Sequence, residues 1–108
     1  MTKKKTAAER RAKLPREVCY TREFQKAWER YNRAGRNDMN RAVEVMQLLF
    51  ANQEEIPPEY LDHQLEGEEW DGARELHIGG DFLLVYQLSD DDRVVTFTGL
   101  GTHAELFE

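Results

Sequence analysis

No stretch of the sequence stays apolar for long enough to cross a bilayer as a helix, so a membrane-spanning helix is not expected. Cysteine is nearly absent: Cys19 stands alone, which excludes an internal disulfide and a cysteine zinc cluster. Lys3–Lys5 lead into polar residues and not into an apolar run, so no secretory signal is expected. A reducing cytoplasm is the expected compartment. Basic residues are scarce beyond residue 36, with three there against 17 acidic ones. They are concentrated before it, where residues 1–36 hold 12 Lys and Arg against four Asp and Glu. Such a split marks either a basic arm for a polyanion or a plain soluble tail with exposed helix faces. The 108 residues, with a net charge of −6, suffice for one domain with a small core and not for two.

The chain reads as a tail, two helices and then strands. Residues 1–14 are basic and nearly free of bulky apolar groups, and are expected to be a flexible tail ahead of one domain over 15–108. Val18 and Tyr20 alternate as in a short strand. Thr21 is placed to cap a helix carrying Phe24, Ala27, Trp28, Tyr31 and Ala34, stopped by Gly35. Asn37 or Asp38 caps a second helix with the stripe Met39, Ala42, Val43, Met46, Leu49 and Phe50. The short link predicts an antiparallel helical hairpin. Pro57-Pro58 ends the pattern, and a polar loop with Leu61, Leu65 and Trp70 as anchors runs to Gly72. Strands are predicted over Ala73–Ile78, Asp81–Leu88 and Arg93–Thr98. The second is apolar on both faces and therefore central. Gly79-Gly80 reads as a hairpin turn and not a phosphate loop. Gly99 and Gly101 bracket the exit to a short helical turn capped by Thr102 and ending at Leu106-Phe107. The predicted fold class is α+β, a helical hairpin packed on one face of a small, mainly antiparallel sheet.

All three histidines, His63, His77 and His103, follow the helices. If Leu76 and Ile78 face the core, strand alternation turns Glu75 and His77 to the open face. His63 in the loop before the sheet and His103 after it can reach that face. Imidazoles gathered with Asp81 suit general acid–base chemistry near neutral pH. Ribonuclease cleavage needs such groups: one takes a proton from the ribose 2′-OH and another protonates the leaving 5′-oxygen. The competing reading is three ordinary polar surface residues. No His pair has the close helical spacing of a metal motif, so no metal is expected. Asp90–Asp92 lacks the further spaced ligands of a calcium loop and reads as a solvated turn. Glu66, Glu68, Glu69 and Asp71 read as loop solubility.

The ordered strings Asp62-His63-Gln64-Leu65, Trp70-Asp71-Gly72, Arg74-Glu75-Leu76-His77, Asp81-Phe82-Leu83-Leu84-Val85-Tyr86 and Gly101-Thr102-His103-Ala104-Glu105-Leu106-Phe107 resemble the YafQ branch of the RelE superfamily of bacterial toxins. The resemblance covers about Arg16 to Glu108. It implies a RelE-like fold and a ribosome-dependent mRNA endoribonuclease that cuts the message in the A site and inhibits translation. It implies no cofactor, and it implies a DinJ-like antitoxin, the ribosome and mRNA as partners. Carried over by motif, His63, His77, Asp81 and His103 are the expected catalytic residues. His103 is the expected proton donor or acceptor, and His63 and Asp81 its partners in the opposite transfer. His77 is expected to hold phosphate or orient a neighbour. Phe82, where a relative has Trp, and Phe107 are expected to stack on a base or hold the loop. Arg74 is expected either to meet phosphate or to be structural.

Two positions depart from that family's pattern. Gly99 stands where relatives usually carry Arg, and Gln87 where Lys is common. Both changes remove positive charge near the expected site. They support an alternative reading, a homologue that binds antitoxin or ribosome without cleaving.

Overall fold

The computed structural model describes residues 14–107, so the expected tail lies outside it except for Leu14. Among the described residues the first element, β1 (Glu17–Tyr20), leads into α1 (Arg22–Ala34). Thr21 makes that transition with extended backbone, and its hydroxyl accepts the Phe24 N–H at 3.1 Å. Its Oγ1 also lies 3.2 Å from the Thr98 carbonyl, so the cap is tied to the sheet. Thr21→Ala is therefore expected to cost about 1 kcal/mol, read as a fall in Tm of roughly 5 °C. An unchanged Tm would show that neither bond matters. Gly35 ends α1 at φ +66°, the left-handed conformation that glycine adopts without a Cβ clash. Asp38 then accepts the Arg41 N–H at 2.9 Å and opens α2 (Met39–Ala51).

A five-stranded sheet follows, with strand order β1-β5-β4-β3-β2. Its members are β2 (His63–Gln64), β3 (Ala73–Gly79), β4 (Phe82–Leu88) and β5 (Val94–Gly101), besides β1. Only β1 runs parallel to its neighbour, with Glu17 opposite Val94. As predicted, β4 is central, and its residues Phe82–Tyr86 are all buried. Both helices supply the core on one face. Phe24, Ala27, Ala42, Val45 and Leu49 pack with Leu76, Leu84, Tyr86, Val95 and Phe97. The chain closes with α3 (His103–Phe107).

Four expectations need correction. In α2 the buried line is Ala42, Val45 and Leu49, while Val43 and Phe50 are exposed. The apolar stripe is wider than one face, and periodicity alone could not say which edge meets the sheet. Val43 and Phe50 instead line a groove of about 560 Å³ with Tyr20, Phe24, Trp28 and Met46. Leu61 is not an anchor: it is 59% exposed, at φ +53°. The 3-10 turn at Pro58–Tyr60 buries Tyr60 instead, with Arg41 over its ring. His63 lies in a strand and not in a loop, because β2 pairs with β3. Finally, β5 runs on to Gly101. Its register slips opposite Val85 and Tyr86, so Thr98 is passed over in the pairing with β4 and its hydroxyl donates to the Val85 carbonyl at 3.2 Å, while Gly99 and Gly101 remain in the sheet. A Cβ on Gly99 would sit 3.0 Å from the Leu106 side chain, so glycine there gives α3 its close seat on the sheet.

Candidate active site

Strand alternation carries Ala73, Glu75 and His77 to the face away from α1 and α2. Pairing of β2 with β3 sets His63 directly opposite Glu75. The turn into β4 supplies Asp81, and the first residue of α3 supplies His103. The three imidazoles form an arc: ring centroids are 6.3 Å apart for His63 and His77, and 6.1 Å for His77 and His103.

Each ring is held in the same way. Nδ1 of His63 lies 2.7 Å from the Leu61 carbonyl, and Nδ1 of His77 lies 3.3 Å from the Gly80 carbonyl. A carbonyl only accepts, so both Nδ1 atoms carry the proton and donate. Nδ1 of His103 lies 2.6 Å from Asp81 Oδ1, which also accepts the His103 backbone N–H at 3.1 Å. Those two bonds, the side-chain one foremost, hold the Asp81 carboxyl below the usual carboxylate range. In all three rings Nε2 is left to exchange protons.

The three Nε2 atoms converge on Glu75, at 3.5 Å for His63, 3.6 Å for His77 and 3.4 Å for His103. Glu75 is 3% exposed, the one charged side chain buried among the described residues, and its Oε1 has no hydrogen-bond partner. A carboxylate buried in this way is costly without partners, and the three Nε2 atoms are the polar groups that face it. Alternation with His77 places Glu75 on this face, but no motif in the sequence points to a role for it. An acidic residue two positions from a site histidine on a strand was the available signal.

Phe107 forms part of the rim, 5.8 Å from His103 and edge-on to Trp70 at 5.0 Å. Trp70, read from sequence only as a loop anchor, thus borders the site. Two expected substrate residues lie elsewhere. Arg74 points to the helix-packed face, where it pairs with Asp62 at 3.3 Å. Tyr86 donates to the same carboxylate at 2.7 Å, and burial pushes its phenol pKa up. Phe82 is 3% exposed in the core, against the Tyr31 ring. Their neighbours in sequence are site residues, but alternation sends these two through the sheet. Among the described residues, no group of three His, Cys, Asp or Glu is arranged to hold a metal ion. Three imidazoles, an exposed carboxylate and a buried one can move protons to and from a bound substrate.

Residues 16–108 match the family described as bacterial toxin of type II toxin–antitoxin system, YafQ. The chain is 41% identical over 70 residues to mRNA interferase toxin YafQ of Escherichia coli K12, an overlap covering 65% of this chain and 73% of that one. Its fold is similar to that in the crystal structure of the E. coli DinJ-YafQ toxin–antitoxin complex, at TM-score 0.78 and 34% identity, over 88% of this chain and 100% of that one. It is also similar to a metal-bound toxin from Helicobacter pylori, at TM-score 0.71 and 31% identity, over 84% and 98% of the two chains.

Proposed function

Because the chain belongs to the YafQ family of bacterial type II toxin–antitoxin toxins, we propose that it is an mRNA endoribonuclease acting in the cytoplasm on ribosome-bound message. The observation that carries this reading is the convergence of three Nε2 atoms on one open face, each ring fixed through Nδ1. Cleavage of RNA needs a base for the ribose 2′-OH and an acid for the leaving 5′-oxygen. His103 is one of that pair, oriented by Asp81. His63 is the other. His77 is the most enclosed of the three rings and holds the phosphate between them. Phe107 supplies an aromatic edge for a base. A DinJ-like antitoxin neutralises the toxin, as the E. coli complex suggests for this family.

No step needs a metal, since one imidazole takes the 2′-OH proton and another gives a proton to the leaving 5′-oxygen. Protein treated with EDTA and then desalted is therefore expected to cleave at the untreated rate, measured by single-turnover cutting on programmed ribosomes. Loss of cutting, restored by added copper or zinc, would overturn that part.

A second reading, binding without cleavage, is favoured by Gly99, Gln87 and the acidic body. Primer extension on a defined message in a bacterial translation extract separates the two. Cuts inside codons that require ribosomes support the endoribonuclease. A folded chain that binds ribosomes or antitoxin and leaves the message whole supports the second reading.

A further inference from the structure

His103 sits on α3, a helix of five residues. So short a helix does not hold its own shape in water, yet it must keep an imidazole in place to within a fraction of an ångström. What fixes it lies on the far side of the sheet's end, on α1. Glu105 closes a reciprocal cap over the first turn of α3: the Thr102 N–H donates to Glu105 Oε1 at 3.1 Å, and the Glu105 N–H to Thr102 Oγ1 at 3.2 Å. The Tyr31 hydroxyl of α1 donates to the same Oε1. Arg30 Nη2 meets the other oxygen at 2.9 Å. The Tyr31 bond is the foremost influence on Glu105, holding its carboxyl below the usual range.

Tyr31 has a second hold on the site. Its ring packs on Phe82 with centroids 4.9 Å apart. Phe82 directly follows Asp81, whose carboxylate orients His103. One side chain of α1 therefore touches both segments that bear the His103–Asp81 pair. Gly101 completes the fit, because a Cβ there would stand 3.1 Å from Glu105 Oε1. The exposed Arg30 ion pair alone contributes little to stability, so the role of this cluster is geometric.

From this we infer that Tyr31 and Glu105 are positioning residues that set His103 against Asp81 from α1. Neither touches the reacting atoms. The kinetic part of the inference rests on the cleavage reading; the structural part does not.

The test uses the full chain and three variants. Tyr31→Phe removes only the hydroxyl and keeps the ring on Phe82. Glu105→Ala removes the carboxylate, and Glu105→Gln keeps an oxygen for Tyr31 and Thr102. Proton–carbon NMR of the imidazole rings is read beside thermal melts and cleavage kinetics. In Tyr31→Phe and Glu105→Ala the His103 ring signals are expected to move or split, while those of His63 stay in place and the fold melts cooperatively. In Glu105→Gln they are expected to return toward the parent positions. Cleavage by the first two variants is expected to fall on the order of ten- to a hundredfold in kcat, with KM near the parent's. His103 signals in Tyr31→Phe that coincide with the parent's would overturn the inference. So would equal displacement of His63 and His103, which would indicate general loosening. A parent that does not cut overturns the cleavage reading, while the ring signals still decide this one.

Discussion

His103→Ala is expected to lower cleavage of ribosome-bound message by roughly 10²- to 10⁴-fold, the usual contribution of a positioned acid or base. The same variant is expected to fold and melt almost as the parent does. The His103 side chain is 53% exposed and contributes little to the core, and substitutions at such positions usually stay within about 0.5 kcal/mol. The loss is thus of chemistry: the Nε2 that faces the open side disappears, and Asp81 is left with no ring to orient. Single-turnover cutting on programmed ribosomes, paired with a thermal melt, measures both halves. An alanine variant that cuts at the parent rate would remove His103 from the reaction.

The second large effect concerns Glu75 and runs in opposite directions for activity and stability. Glu75→Gln keeps the side-chain volume and removes a buried charge whose Oε1 makes no hydrogen bond. Buried charges that lack full pairing destabilise a fold, and their neutral replacements are often neutral or stabilising. Tm is therefore expected to hold or rise. Cleavage is expected to fall by about a hundredfold, because a glutamine amide cannot serve as a common anion for three imidazoles; removing one preorganised electrostatic group typically costs that much. The opposed signs are the signature. A fall in both would mark Glu75 as a packing residue, and unchanged cleavage would remove it from the site.

Much of the fold was legible because local chemistry and pattern agreed. Thr21, Gly35 and Asp38 stand where helix ends require them, and the doubly apolar run Phe82–Tyr86 announced the central strand. Alternation in β3 correctly set Glu75 and His77 on one face. The misreadings share a cause: position relative to a partner element is not written locally. Which edge of α2 faces the sheet depends on where the sheet lies, so Val43 and Val45 exchanged roles. β2 exists only through its pairing with β3. Arg74 and Phe82 lay beside site residues in sequence, and the pleat put them on the opposite face. The face of Glu75 is legible in the sequence but its convergence with three rings is not, and the Tyr31–Glu105 contact is not legible at all, since each depends on residues far along the chain.

The pairing of β1 with β5 sets an order of events during folding. Glu17 lies opposite Val94, so β1 cannot be stitched in until β5, far along the chain, is in place. Contacts between segments so distant along the chain form late. His103 and its short helix follow β5 immediately. The arc of imidazoles is therefore completed late, because its third ring is seated only when the strand before it has been zipped to both neighbours.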